Sequence, residues 1–330
     1  MSSSNTPGFR TSKIFRPRLA AVAATALLGV TALTACGDDG GAAAAPGTVG
    51  VVAAFYPLQF VAEQVGGDAV TVTSLAKPGA EPHDLELNPQ QVGQLTDATV
   101  VLYLKGFQPA VDEAVSQNNA DRAFDAGTSV TLLSGTASHS HDESSHEGEE
   151  SSHEGEEEEG GTDPHIWLDP TRLATVADAV AAKLGAADPD HAADYTARAA
   201  ALRTSLTTLD AEYTAGLQTC ARREIVTSHT AFAYLAERYK LEQIGISGLS
   251  PEDEPSPQRL AEVATEAKEH GATTIFFETL VSPKIAETIA QEVGAKAAVL
   301  DPIEGIADGG DYFSVMRTNL AALKTALSCS

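Results

Sequence analysis

The sequence predicts an α/β protein made of two parallel-sheet lobes joined by a single long helix. Three observations carry this. Short apolar strands alternate with helical patterns from residue 49, and the alternation restarts after residue 220. Between the two runs, Asp190–Leu217 has no Pro and no Gly before Gly216. Continuous apolar strands separated by helices imply parallel sheets covered on both faces.

In chain order, the β-branched run Val49–Tyr56 is the first strand, and Pro57 opens a helix through Val65. Ala69–Ala76, Thr99–Leu104 and Ser129–Leu133 read as further strands, with helical patterns at Pro89–Thr96 and Pro109–Gln117. In Asp190–Leu217, Tyr195, Ala199, Leu202, Leu206, Leu209 and Tyr213 recur at helical spacing. A helix of that length is about 42 Å long and permits rocking of the lobes rather than wide opening. Beyond it, Glu224–Ser228, Leu241–Ile246, Thr273–Glu278 and Ala295–Leu300 are expected strands. Ala231–Tyr239, Pro257–His270, Pro283–Val293 and Tyr312–Leu327 are expected helices. The organisation is therefore a leader over 1–36, a tether over 37–48, a first lobe over 49–187, a bridge over 188–217 and a second lobe over 218–330.

The 330 residues carry 46 acidic against 21 basic side chains, a net charge of −25. A chain this acidic lacks the basic surface that nucleic acid requires, and it suits a cationic ligand. With 43% hydrophobic residues in periodic blocks, it has ample material for a core.

Arg10, Lys13, Arg16 and Arg18 precede an uncharged, mostly apolar run, Leu19–Leu33, which is short for a membrane span but suits a signal segment. The run ends in Leu33-Thr34-Ala35-Cys36, which resembles a bacterial lipobox. Cys36 would then be lipidated as the first residue of the mature chain, and the protein would be extracytoplasmic and held to the membrane by that lipid. Cys220 and Cys329 remain as an even pair, and an oxidising exterior favours a disulfide between them.

Ser138–Gly161 stands apart. It holds ten acidic residues, four histidines and a tandem repeat of Ser-Ser-His-Glu-Gly-Glu-Glu at 144–150 and 151–157. Such a segment cannot offset the entropy of ordering and is expected to be a disordered insertion. His139, His141, His146 and His153 among carboxylates suit weak, multivalent collection of a divalent metal.

Open α/β sheets bind ligands beyond the carboxyl ends of their strands. His83, His165, His229 and Asp301 lie at those ends, two in each half. Three imidazoles and a carboxylate form a tetrahedral set that suits zinc. Pro82, Pro164 and Pro302 stiffen the backbone beside three of the four. Glu278 also ends a strand and competes with Asp301 for the fourth position. Glu81 and Asp169 are candidates to orient an imidazole. A lone strand-end histidine is ordinarily a hydrogen-bonding loop residue, and an aspartate before proline is ordinarily a turn former. The joint placement of four such residues is what points to metal.

Glu81-Pro82-His83-Asp84 with Asn88-Pro89, Asp163-Pro164-His165 running on to Asp169-Pro170, Ser228-His229 through Tyr234, Gly248–Pro257 and Leu300-Asp301-Pro302 together resemble the zinc-binding lipoproteins of bacterial metal ABC importers, the ZnuA-like family. The similarity runs in order from about Val49 to the C-terminus. It implies two α/β lobes bridged by a long helix, with metal held between them and delivered to a membrane permease. It carries over His83, His165 and His229 as ligands and Asp301 as the fourth, although some zinc relatives use another carboxylate or water there. Manganese- or iron-selective relatives have Glu at the third position, so His229 favours zinc. A His-rich acidic loop before the second ligand is likewise a feature of the zinc branch. A monomer is expected. The competing readings are a manganese- or iron-binding homologue, a zinc-buffering surface adhesin, and a zinc hydrolase. Against the hydrolase, the chain has no HExxH helix and no G-x-S-x-G elbow.

Overall fold

A computed structural model describes residues 47–135, 161–306 and 310–330. The leader, Cys36 and the four histidines of the 138–161 insertion lie outside the described residues. No described helix is long and apolar enough to cross a membrane.

The first sheet is built from β1 (Val49–Ala53), β2 (Val70–Ser74), β3 (Val100–Tyr103) and β4 (Ala123–Asp125). It is all parallel in the order β2-β1-β3-β4, and Val51 sits between Val72 and Val100. Its crossovers carry α1 (Tyr56–Gly66), α2 (Pro89–Asp97) and α3 (Pro109–Asn118). Each of these has Pro in its first turn, where the missing N–H costs nothing. Asn88 closes a capping box with Gln91 at the start of α2.

Two helices follow, α4 (Pro170–Ala187) and α5 (Ala192–Leu217). The second sheet repeats the topology of the first with β5 (Glu224–Thr227), β6 (Glu242–Gly245), β7 (Thr274–Phe277) and β8 (Lys296–Val299) in the order β6-β5-β7-β8. It carries α6 (Ala233–Tyr239), α7 (Pro257–Glu269), α8 (Lys284–Val293) and the closing α9 (Tyr312–Leu327).

Three expectations need correction. The fourth strand is Ala123–Asp125, not Ser129–Leu133. Asp125 accepts the Gly127 N–H at 3.0 Å and turns the chain out of the sheet, so Val130, Leu132 and Leu133 pack on the core without joining the ladder. Helix α4 is an element beyond those expected, and Leu173, Val176, Ala177, Val180, Ala181 and Leu184 form its buried stripe at helical spacing. The bridging helix begins at Ala192, after a short 3-10 turn at Pro189–His191, and its 26 residues give about 39 Å.

Helix α5 packs along α4 and α1 and reaches α6 and α9 of the second lobe. The main core is continuous through this spine, from β1 and β3 to Phe276, Leu300 and Met316. A smaller core lies between β5, β7, α7 and α8. A shared core limits the lobes to small relative displacements, because close-packed interiors deform little.

Cys220 and Cys329 are joined by a disulfide across 109 residues, tying the exit of α5 to the end of α9. In the chain-entropy account a loop of this size stabilises by about 4.7 kcal/mol. Replacing both cysteines by Ser should lower the unfolding free energy by about 2–5 kcal/mol. Metal affinity should stay unchanged, because neither residue approaches the carboxyl ends of the strands. Chemical denaturation beside metal titration checks both halves of that expectation.

Candidate metal centre

The carboxyl ends of both sheets face one buried cluster. His83 lies in the loop after β2. The buried Gln108 donates to Pro82 O at 3.0 Å in that loop, and the Phe107 ring sits edge-on to the imidazole with centroids 4.4 Å apart. His165 follows the chain's return from the insertion and precedes the 3-10 turn Ile166–Leu168. His229 lies two residues beyond β5, where Thr227 Oγ1 and Gln243 Nε2 both donate to its carbonyl, at 2.7 and 3.1 Å.

The three Nε2 atoms converge on a single carboxylate oxygen, Glu304 Oε1, at 3.2 Å from His83, 3.2 Å from His165 and 3.3 Å from His229. All four residues are buried, with His83 the most exposed at 8%. One donor atom from each lies within 4.8 Å of the others.

Asp301, expected in the fourth position, is outside this cluster. Its Oδ1 accepts the Ile303 N–H at 2.7 Å and its Oδ2 accepts the Thr279 hydroxyl at 3.0 Å. Its backbone is clasped by Asn319, which accepts the Asp301 N–H at 3.0 Å and donates to the Asp301 carbonyl at 2.7 Å. Asp301 is a turn former, and the turn drives Ile303 into the left-handed region at φ 60. That conformation is costly for a β-branched residue. Here it is held by complete burial of Ile303 and by Trp167 Nε1 donating to Pro302 O at 2.6 Å. Its result is to aim Glu304 inward.

The carboxylates around the cluster sort themselves by position. Glu278 is not among the converging donors. Its Oε1 accepts from His229 Nδ1 at 2.9 Å and from Ser228 Oγ at 2.8 Å. Asp163, which sequence reasoning passed over, accepts from both the backbone N–H and Nδ1 of His165 at 2.8 Å. Glu81 takes the backbone N–H of His83 at 3.0–3.1 Å rather than an imidazole. Asp169 is removed from the cluster and caps α4 through the Thr171 N–H.

The pattern Glu81-Pro82-His83 recurs as Asp163-Pro164-His165, in each case a carboxylate that pins the amide of the histidine two residues on. With Nδ1 of His165 and His229 held by carboxylates, Nε2 faces the centre as a ligand would.

Burial alone would depress the imidazole of His229, but the hydrogen bond to Glu278 and the negative charges of Glu278 and Glu304 outweigh it and push it up to about 10. His165 is likewise raised, with burial opposed by Asp163 and then Glu304. Burial would raise Glu304, yet the three imidazoles hold it well below the usual carboxylate range. Without metal, the cluster therefore sets a buried anion at Glu304 against a His229 that holds its proton. Even so, His229 Nε2, Glu304 Oε2 and Glu278 Oε2 are buried without a hydrogen-bond partner. Most buried polar atoms find a partner, and a cation bound in this cluster would supply one.

Tetrahedral zinc with donors about 2.0–2.1 Å away requires donor–donor separations of about 3.3–3.4 Å. The three distances to Glu304 Oε1 are already close to that edge.

Residues 51–326 match the ZnuA family, described as zinc-uptake complex component A, periplasmic. The chain is 35% identical over 295 residues to the zinc-binding protein AdcA of Streptococcus pyogenes, covering 85% of this chain but 56% of AdcA. It is 34% identical over 307 residues to the high-affinity zinc uptake system protein ZnuA of Bacillus subtilis, covering 89% of this chain and 93% of that protein. The crystal structure of the Zn(II)-bound ZnuA-like domain of Streptococcus pneumoniae AdcA superposes with a TM-score of 0.69 at 32% identity, over 85% of this chain and 99% of that domain. A match across most of the described chain, with the same fold and a centre built of three imidazoles and a carboxylate, places the chain in the ZnuA family.

Proposed function

We propose that this protein is the extracytoplasmic zinc-binding component of an ABC importer, held to the membrane through a lipid on Cys36, which captures zinc as a monomer and hands it to the permease. The observation that carries the reading is the convergence of His83, His165 and His229 Nε2 on one oxygen of Glu304. Three imidazoles with one carboxylate form a borderline-soft set suited to zinc rather than to magnesium or calcium. The names of the AdcA and ZnuA relatives support zinc as cargo. Four protein donors leave no open position for a bound water, so the arrangement favours reversible coordination over catalysis.

Competitive zinc titration of the chain lacking residues 1–36 tests the assignment. One tight site is expected. It should be lost in His229→Ala and retained when 138–161 is deleted. Tight binding that vanished with the insertion and survived His229→Ala would move the site from the cleft to the insertion and overturn the reading.

A further inference from the structure

Tyr234 sits on α6, five residues beyond His229, and is completely buried. A buried tyrosine ordinarily finds a partner for its hydroxyl, so burial and a hydrogen bond by themselves say little. The identity of the partners says more. The Tyr234 hydroxyl donates to the Asp163 carbonyl at 2.6 Å and accepts the Leu133 N–H at 2.9 Å. Leu133 O in turn accepts the Asp163 N–H at 2.9 Å. Among the described residues, no other hydrogen bond reaches the Leu133 amide or the Asp163 carbonyl.

These two residues stand at the neck where the chain leaves for, and returns from, the insertion. Ser134 and Thr162 form an isolated antiparallel bridge there, and the Gly135 N–H donates to Gly161 O at 2.6 Å. The neck is tight: a Cβ at Gly135 would lie 2.3 Å from Gly161 O and 2.7 Å from Leu249 Cδ1. Arg172 lies over the Tyr234 ring, 4.6 Å from its centroid, and donates to Thr131 O, so the ring is enclosed by the strap it holds.

One hydroxyl from the second lobe therefore fastens both legs of a neck in the first. Past the fastening point, the Asp163 carboxylate grips His165 at its backbone N–H and at Nδ1. The chain of contacts runs from the helix that follows His229, through Tyr234 and Asp163, to His165.

We infer that Tyr234 is a positioning residue for the metal centre, a latch whose hydroxyl fixes His165 relative to His229 across the two lobes and thereby governs how readily zinc leaves. The inference rests on the zinc-capture reading above. Tyr234 touches neither the cation nor the donor atoms. Its effect falls on the separation of ligands contributed by different lobes, the coordinate along which a small rocking motion would open the site. Losing the latch raises the dissociation rate while leaving the encounter of zinc with the cluster nearly unchanged.

The test compares Tyr234→Phe with Tyr195→Phe in the purified protein. Tyr195 is equally buried, and its hydroxyl donates to Asp188 Oδ2 at 2.7 Å, remote from the metal centre. Zinc dissociation is followed by stopped-flow with a chelating dye, and cobalt substitution reports ligand geometry through its visible ligand-field bands. Tyr234→Phe should release zinc about tenfold faster, a loss of about 1.4 kcal/mol, with association within about twofold and altered cobalt bands. Tyr195→Phe should lose thermal stability without changing either readout. If Tyr234→Phe also loses only stability, with wild-type release and wild-type cobalt bands, Tyr234 is a core residue and the inference fails.

A measurement on the unaltered protein covers the case in which Tyr234→Phe does not fold. Zinc should slow hydrogen exchange of the Leu133 amide by at least tenfold, and a Leu133 amide indifferent to zinc would overturn the latch. Failure of the unaltered protein to bind zinc tightly would instead sink the zinc-capture reading itself.

Discussion

Glu304→Gln should weaken zinc binding by more than about 100-fold, whereas Asp301→Asn should change it by less than about threefold. Loss of an orienting partner around a metal site ordinarily costs about 10–100-fold, and loss of a charged donor costs more. Gln keeps the shape of Glu304 but removes the negative charge on which three imidazoles converge. Asn at 301 retains an oxygen for the Ile303 N–H and an amide for Thr279 Oγ1, so the turn survives. Asp301→Ala should be intermediate, because Ile303 then loses the hydrogen bond that holds it at φ 60 and Glu304 is aimed less firmly. Competition with a chelating dye ranks the three variants. Equal damage from Asp301→Asn and Glu304→Gln would make Asp301 the fourth ligand after all.

That comparison also marks where the sequence stopped being informative about the site. The rule that ligands gather beyond strand ends selects the first polar residue after β8, which is Asp301. It carries no information about a turn that takes three further residues to bring a side chain inward. A signal was nevertheless present, since Glu304 stands in Ile303-Glu304-Gly305-Ile306, and a lone carboxylate among apolar residues is expected to be buried and partnered. The same rule of position makes Glu278 a rival ligand, but it serves the far side of His229. Asp163 was legible in principle, because an aspartate two residues before a histidine and separated from it by proline forms the turn that pins the histidine amide.

The fold was legible wherever periodicity ran long enough. Seven of the eight strands and the stripe of α5 follow from runs of four or more apolar or periodic residues. β4 spans three residues, Ala123–Asp125, and lies below the length at which alternation means anything. Helix α4 was obscured by its neighbours, a proline-rich ligand motif before it and a longer helix after it, rather than by any weakness of its own pattern. Its consequence is mechanical. With α4 laid along α5, the bridge between the lobes is a packed helix pair, stiffer than a lone rod.

Zinc affinity should rise steeply with pH, by about tenfold or more per pH unit between about pH 6.5 and 10, while the zinc-free protein loses stability over the same range. The two trends have one origin. In the folded protein without zinc, burial works against the charge on His229, yet Glu278 and Glu304 prevail and push the imidazole up to about 10, from an ordinary value near 6.5. A group raised on folding contributes stability that is fully present below its unfolded value and is lost as pH rises through its folded value. The melting temperature of the zinc-free protein should therefore decline from about pH 6.5 towards pH 10. Zinc coordinates only neutral imidazole, so its binding must displace the proton on His229, and each unit of pH makes that displacement easier. Glu304, held well below the usual carboxylate range, is ionised throughout and releases nothing. At pH 7.5 in weak buffer, an indicator dye should register at least about one proton released per zinc bound. The stabilisation conferred by saturating zinc should widen with pH, since a ligand specific to the folded state stabilises in proportion to the logarithm of its affinity. Binding without proton release would mean that His229 is already neutral in the zinc-free protein. With release observed, the proton becomes the competing ligand of this centre, weakening the hold on zinc by recharging His229.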